Sequence, residues 1–511
     1  MREMPVPDVG LGAMILRRAA LVPDLPALSF EGETLSYRDF GARIRRLASV
    51  LRKLGVNRGD RVAFLGFNHP VFLETLFAAA AIGAIFVPLN FRLTAAELEF
   101  IVNDAGVHTL LADDGHKAVI DAVRAGLCCR RYVAAESPSE GWTDHAQTGE
   151  HLLPLAAAER VEADEVALIM YTSGTTGRPK GAMLTHGNLF WNNVNARFGP
   201  DTPASGVSLT AAPLFHIGGL NVTTLAGLQS GGHVVLHRSF DPGLVLADIA
   251  RYRVGTMFGA PAMFLFMSQH PAFTSADLGS VEVLVCGGAP VPEALIRVYA
   301  ARGIRLCQGY GLTETAPFAT FLGSRWIETK LGSAGQPPLY GDVRVVDALN
   351  RPLGHGERGE VCVRAPNVMK GYWNRPEATR EAIDAEGWFH TGDVGYFDAE
   401  GFLFLCDRVK DMVITGGENV YPAEVESVLY EHPAIAEVAV IGLPDEKWGE
   451  AVTAVVRVVP GSALTIEELR AFAGEKLARY KLPLRLHVVD ELPRNPAGKV
   501  LKYQLRELLR A

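Results

Sequence analysis

Several features are scarce in this 511-residue chain, and each scarcity excludes something. Cysteine is rare: there are 6, at positions 128, 129, 286, 307, 362 and 406. None of their spacings is a metal-binding pattern, and the neighbours Cys128 and Cys129 cannot easily pair. Reduced thiols in a cytoplasmic protein are the simple reading. Basic blocks are missing. Lys and Arg are scattered and the net charge is −8, which argues against a nucleic-acid partner. Long apolar runs are missing too. The most apolar stretch, Leu76–Val87, stops at Pro88 and falls well short of the ~20 residues a membrane helix needs. It reads as a core helix. The first residues, Met1-Arg-Glu-Met-Pro-Val-Pro, have no apolar region of the kind a secretory signal carries. Peripheral contact with a membrane stays open, as does a homodimer. No internal repeat or low-complexity segment is visible.

What is present is ordinary for a globular protein: 48% hydrophobic and 21% charged residues. The length suggests about two to four domains. From the N-terminus the chain alternates short apolar runs with amphipathic segments. Ser36 opens a helix that ends at Gly55, Asp60–Gly66 is a strand, 70–83 a helix and Ala84–Leu89 a strand. Ala95–Ala105 is again a helix. The alternation resumes after a polar connector over 136–163, with helices at 186–195, 218–229, 242–252, 260–268 and 292–302. Strand alternating with helix predicts an α/β fold with wound, largely parallel sheets. From about residue 330 short apolar runs are separated by Gly, Pro and Asn, which predicts a small β-rich subdomain. A charged pentapeptide, Asp407-Arg-Val-Lys-Asp411, then precedes a compact α+β unit. The expected organisation is a domain over 1–406, a hinge over 407–411 and a mobile domain over 412–511.

The most informative stretch is Tyr171-Thr-Ser-Gly-Thr-Thr-Gly-Arg-Pro-Lys180-Gly181, directly after the apolar strand Val166–Met170. Glycines let backbone N–H groups turn towards an anion, hydroxyls add donors, and the lysine adds a charge. That is chemistry for holding a polyphosphate. Lys180 follows Gly174 at nearly Walker spacing. Pro179 stands where that motif needs Gly, and Gly181 where it needs the Mg-binding hydroxyl, so this is a phosphate loop of another kind.

Other stretches are ambiguous singly. Gln308-Gly-Tyr-Gly-Leu-Thr-Glu314 ends a predicted strand, where wound sheets bind ligands. Tyr310 could stack on a base, Thr313 donate to a phosphate and Glu314 offer a hard carboxylate to Mg²⁺; a plain strand end with a helix cap reads equally. Val285-Cys-Gly-Gly-Ala-Pro-Val admits a flat ligand or a tight turn. Asp393, in Trp388-Phe-His-Thr-Gly-Asp, looks exposed and suits a ribose diol, or is a turn aspartate. His216, in Pro213-Leu-Phe-His-Ile-Gly-Gly, contacts a substrate or is a core histidine, with Gly218 and Gly219 leaving space beside it. Lys499 ends the loop Pro493-Arg-Asn-Pro-Ala-Gly-Lys.

Together and in this order, these stretches resemble the adenylate-forming superfamily of AMP-forming acyl-CoA synthetases, from about 10 to 505. The resemblance rests on Tyr171–Gly181, Gly309–Glu314, Thr391–Asp393, Asp407–Asp411 with Gly416–Glu426, and Pro493–Lys499. It implies two half-reactions: a carboxylate attacks the α-phosphate of ATP to give acyl-AMP, then the thiol of coenzyme A displaces AMP. It implies that Thr172, Ser173, Gly174, Thr175, Thr176, Gly177 and Lys180 hold the β- and γ-phosphates. Gly288, Ala289, Pro290, Tyr310 and Gly311 would hold adenine, and Thr313 the α-phosphate. Glu314 would bind Mg²⁺, and Asp393 and Arg408 the ribose. Lys499 would bridge the carboxylate and α-phosphate. Lys410 would be the hinge, and Gly416 and Gly417 would reach the CoA channel after rotation. The acyl site would comprise His216, Ile217, Gly219, Leu220, Phe258, Gly259, Gly287, Gly309 and Gly311. That set has no Lys or Arg, which argues against dicarboxylic acids. Leu220 stands where some long-chain enzymes have a gating tryptophan, and Ile414 where luciferase has a second lysine, which disfavours oxidation. A medium- to long-chain fatty acid is the expected substrate, with a hydroxycinnamate or other aryl acid as the alternative. A carrier-protein acceptor and a non-catalytic nucleotide-binding regulator are the rival readings. The catalytic set, Lys499, Glu314, Thr313, His216 and Lys180, speaks against the regulator.

Overall fold

The computed structural model describes residues 8–172, 179–199, 201, 203, 206–289, 291–408, 411–415, 418–494 and 500–509, with only the backbone of Asp407, Arg408 and Asn419. The chain divides into two compact units, residues 1–343 with 363–390, and residues 344–362 with 391–511.

The first unit is built on two eight-stranded sheets. One runs, in spatial order, Phe318–Leu322, Leu306–Gly311, Val283–Gly287, Thr256–Gly259, Val207–Thr210, His233–Leu236, Pro26–Phe30, Glu33–Ser36. Its interior strands are parallel and its two edge strands antiparallel. The other runs Gly371–Tyr372, Lys180–Thr185, Val166–Thr172, Ile85–Leu89, Arg61–Leu65, Val107–Ala112, Arg131–Ala134, Thr143–Asp144. The expected α/β architecture is therefore present, and local signals set many of its boundaries. Ser36 caps the helix Tyr37–Lys53 by accepting the N–H of Asp39. Thr94 and Glu97 form a capping box, and Gly106 ends the helix Ala95–Ala105 at φ 62°.

Four features differ from the sequence reading. The apolar run Leu76–Val87 is not one core helix; it divides as the reading of a helix over 70–83 and a strand over Ala84–Leu89 expects. The helix Pro70–Ala81, buried at every residue, gives way at Gly83 (φ 69°) to the strand Ile85–Leu89. No helix among the described residues is long and apolar enough to cross a membrane. The polar connector holds a short strand, Thr143–Asp144, and a helix, His145–Glu150, capped by Asp144. The expected helix 218–229 is π-helical over Gly219–Thr224 and α-helical over Leu225–Ser230. Thr224 Oγ1 donates to Gly219 O at 2.7 Å, tying the wide turn. Finally, Lys180–Thr185 is a strand antiparallel to Val166–Thr172, with Thr172 opposite Lys180. A Walker loop leads into a helix; here the next described element is a strand.

The second unit carries a sheet of Glu418–Val420, Val413–Thr415, Gly449–Val458 and Ile435–Asp445, with Arg485–Val488 parallel to Gly449–Val458. Helices Pro422–Leu429 and Ile466–Gly474 pack an apolar core on it around Val425, Leu429 and Leu469.

Candidate functional site

The stem of the glycine-rich hairpin is anchored at its first residue. Tyr171 donates its hydroxyl to Asp104 Oδ2 at 2.7 Å. Burial first, then the Asp104 carboxylate, push this phenol well above its ordinary range, so it stays a donor. Arg375 donates to the other oxygen of Asp104 at 2.5 Å, and Trp373 Nε1 to its backbone carbonyl at 3.2 Å. At the returning strand, Lys180 Nζ lies 5.3 Å from the centroid of the Tyr372 ring. Ser173, Gly174, Thr175, Thr176 and Gly177 lie outside the described residues; Thr172 and Lys180 close the hairpin around them.

Thr313 and Glu314 sit in a single turn of 3₁₀-helix after the strand Leu306–Gly311. Gly311 is obligatory, since a Cβ there would meet Pro317 O at 1.5 Å. Glu314 is 8% exposed, and its Oε1 accepts the Tyr372 hydroxyl at 2.8 Å. Its backbone carbonyl accepts the N–H of Met369 at 2.8 Å.

Asparagines hold the surrounding turns. The helix His186–Arg197 buries Asn188, Asn192, Asn193 and Asn195. Asparagine is a weak helix former because its amide competes for backbone groups. Here three of these amides engage turn backbone. Asn192 Oδ1 accepts the N–H of Phe318 at 3.0 Å, and Asn188 donates to Pro366 O and Val368 O at 2.9 and 2.7 Å. Asn195 Oδ1 accepts the N–H of Tyr340 at 3.0 Å. Beyond the helix, Asn221 donates to Ala316 O at 2.6 Å and Asn367 to Thr315 O at 2.5 Å. Sequence reasoning missed Tyr372, Asp104 and these asparagines. The available signal was the asparagines of a predicted helix, with Asn188, Asn192 and Asn195 at i, i+4, i+7 spacing on one face.

Gly287 and Gly309 are opposite one another in parallel strands, and a Cβ on Gly287 would meet Gly309 O at 2.7 Å. Gly288 (φ 82°) has open space before it, and with Ala289 it is exposed. A flat ring can approach the backbone there. Tyr310 is half-buried, opposite Thr320. Pro290 lies outside the described residues.

The expected acyl-site residues correct the earlier picture in two ways. The glycines after His216 leave no free space. A Cβ on Gly218 would meet Phe258 Cε1 at 2.6 Å, so the Phe258 ring fills that side; a Cβ on Gly219 would meet Pro213 O at 2.3 Å. The neighbourhood is also not free of cations. Arg92 lies over the rings of Phe91 and Phe215, at 4.9 and 5.7 Å, and Phe215 packs on His216 with centroids 4.3 Å apart. Burial, then repulsion from Arg92, pushes the His216 imidazole down to about 4. His216 is therefore neutral at pH 7, and its buried Nε2 has no hydrogen-bond partner among the described residues. Ile217 and Leu220 belong to the main apolar core, and Gly259 packs on Phe264, 3.0 Å from where its Cβ would be.

In the second unit, Asp393 is not exposed as expected: it is 8% exposed, on the strand Phe389–Phe397. Thr391 Oγ1 accepts the Asp393 N–H at 3.0 Å and donates to Val361 O at 2.7 Å, and the backbone of Arg408 pairs opposite. The Arg408 side chain, Lys410, Gly416, Gly417 and Lys499 lie outside the described residues.

The donors fit the ligands that the resemblance implies. Glu314 has a carboxylate, the hard donor type that Mg²⁺ takes, and Thr313 shares its turn of 3₁₀-helix. Among the described residues Lys180 has no ion-pair partner, which leaves its charge for a phosphate.

Comparison with known proteins agrees. The family model described as AMP-binding enzyme matches residues 15–373, and that of the AMP-binding enzyme C-terminal domain matches 424–499. The chain is 47% identical over 497 residues to a feruloyl-CoA synthase of Amycolatopsis sp, covering 97% of this chain and 98% of that protein. It is 41% identical over 505 residues to the long-chain-fatty-acid–CoA ligase FadD13 of Mycobacterium tuberculosis, covering 97% and 98%. The solved o-succinylbenzoate CoA synthetase (MenE) from Bacillus subtilis, in complex with ATP and magnesium, superposes with a TM-score of 0.86 at 33% identity, covering 96% of this chain and 99% of that one. The chain thus belongs to the AMP-binding enzymes: it is an adenylate-forming acyl-CoA synthetase, an acid–thiol ligase that works with ATP, Mg²⁺ and CoA.

Proposed function

We propose that the acid is aromatic, of the hydroxycinnamate class, rather than a medium- to long-chain fatty acid. The observation that carries this is the Phe258 ring, which occupies the space beside Gly218 and approaches Gly287 to within 3.4 Å of its absent Cβ. An aromatic wall against a glycine-lined edge suits a flat ring, which stacks at offset or edge geometry. The unpartnered Nε2 of neutral His216 suits a ring hydroxyl. The 47% identity to a feruloyl-CoA synthase supports the same reading. The fatty-acid reading is favoured by the 41% identity to a long-chain-fatty-acid–CoA ligase.

In the proposed reaction a carboxylate oxygen of the acid attacks the α-phosphorus of ATP and the bond to pyrophosphate breaks. The CoA sulfur then attacks the acyl carbonyl and AMP leaves. A carboxylate has no good leaving group, and adenylation supplies one. Lys180 and the hairpin loop hold the leaving pyrophosphate. Thr313 and Lys499 hold the oxygens of the reacting α-phosphate, and Asp393 and Arg408 hold the ribose. Mg²⁺ on Glu314 supplies neutralisation of phosphate charge. These groups act by positioning and by fixed electrostatics. Rotation about Lys410 then withdraws Lys499 and brings Gly416 and Gly417 to the thiol channel, a hinge-type switch.

The test is a panel of acids with CoA, following pyrophosphate release for C6–C18 fatty acids, benzoate, cinnamate and ferulate. Higher kcat/KM on the cinnamates is expected. A preference for the fatty acids would overturn the aromatic reading.

A further inference from the structure

The structure links the loop lysine and the Glu314 carboxylate through one side chain. The segment 370–373 is stitched along the returning strand of the hairpin: Lys370 N–H to Met183 O at 2.9 Å, Trp373 N–H to Gly181 O at 2.8 Å, and Tyr372 opposite Ala182. That register puts the Tyr372 ring beneath Lys180 Nζ, at 5.3 Å, and its hydroxyl 2.8 Å from Glu314 Oε1. Gly371 (φ 142°) allows the approach, because Thr379 fills the space its Cβ would need and accepts the Tyr372 N–H at 2.9 Å. At the other end of the segment, Arg375 and Trp373 bind Asp104, the residue that also anchors Tyr171. Both strands of the hairpin are therefore pinned to the segment that carries Tyr372.

We propose that Tyr372 is a positioning residue that sets the metal-binding carboxylate and the phosphate-binding lysine relative to one another. The proposal rests on the reading of Glu314 and Lys180 given above. Two chemical choices support it. A phenol is a neutral donor: it fixes one oxygen of Glu314 without cancelling the negative charge that a cation needs. Carboxylates that ligate metals are characteristically oriented by such a partner. The ring face attracts an ammonium without neutralising it, so Lys180 keeps its full charge for phosphate. A carboxylate in the same place would hold the lysine but would repel the pyrophosphate.

The test uses Tyr372→Phe, which keeps the ring and removes the donor, and Tyr372→Leu, which removes both. ATP affinity is measured by titration calorimetry with and without Mg²⁺, alongside the Mg²⁺ dependence of ATP–pyrophosphate exchange. Tyr372→Phe should bind ATP like the parent without metal and raise the Mg²⁺ concentration for half-maximal exchange about tenfold. Tyr372→Leu should add a metal-independent weakening of ATP binding of about threefold. KM for the acid should hold in both. Glu314→Gln is the control. A Mg²⁺ shift in Glu314→Gln but not in Tyr372→Phe would overturn the proposal alone. No Mg²⁺ shift in Glu314→Gln would remove the metal reading and the role of Tyr372 with it.

Discussion

A single added methyl group can test the aromatic wall. Gly218 stands at φ −61° and ψ −49°, a conformation any residue adopts, so Gly218→Ala carries no backbone strain. Its whole effect is steric. The new Cβ would lie 2.6 Å from both Cε1 and Cζ of Phe258, whereas carbon atoms pack at about 3.5–4.0 Å. The ring must retreat by about 1 Å. The same ring borders Gly287, its Cε2 3.4 Å from where a Cβ would be, and Phe258 is half-buried. Overpacking of this kind costs about 1–3 kcal/mol. If the acid lies against the Phe258 ring, that cost falls on the acid, as a loss of about five- to 150-fold in kcat/KM for ferulate. KM for ATP should stay constant. Pyrophosphate release at varied ferulate measures the first quantity, and ATP–pyrophosphate exchange at saturating acid the second. Adding Phe258→Leu should recover most of the loss, with coupling of more than about 0.5 kcal/mol between the two sites. A lowered melting temperature with an unchanged KM for ferulate would refute the reasoning, because the ring would then have moved within the core.

Two further perturbations probe other parts of the chain. Lys499→Ala should abolish acyl-AMP formation while largely sparing thioester formation from supplied acyl-AMP; equal loss in both half-reactions would remove its assigned role. Glu74 gives a pH test of stability. Burial raises its pKa despite Arg43 Nε at 2.8 Å, an approach without hydrogen-bond alignment. A raised folded pKa means that the unfolded chain releases this proton first, so stability is lost as pH rises above the ordinary glutamate value of about 4.3. Glu74→Gln should therefore raise the melting temperature relative to the parent, by an increment that grows from pH 4.5 to pH 7. A flat or opposite trend in thermal unfolding would contradict it.

Much of the frame was legible along the chain because local chemistry dictates it. The strand Val166–Thr172 follows from an unbroken apolar run. The helices starting after Ser36 and Thr94 follow from side-chain caps, and the end at Gly106 from a left-handed glycine. The strand Lys180–Thr185 was not legible. Gly181-Ala-Met-Leu has little strand preference of its own, and it is extended because it pairs with Val166–Thr172 on one side and Gly371–Tyr372 on the other. The division of Leu76–Val87 was legible from the alternation, as a helix over 70–83 and a strand over Ala84–Leu89, and Gly83 at positive φ marks the break. The apolar content of the run alone reads as one core helix, since both halves are buried.

The glycine–hydroxyl–lysine loop is a contiguous stretch whose residue types specify a polyphosphate. Thr313-Glu314 offers a hydroxyl and a hard carboxylate at a strand end, and the order of the motifs carries the resemblance to adenylate-forming enzymes. The sequence by itself determined that much. Tertiary structure decided what surrounds them. Tyr372 reaches Glu314 across 58 residues, Arg375 reaches Asp104 across 271, and Phe258 closes the space beside Gly218. Each of these depends on which side chains the sheets bring together, and that is set by packing and pairing between segments far apart in the chain, so no local pattern encodes it.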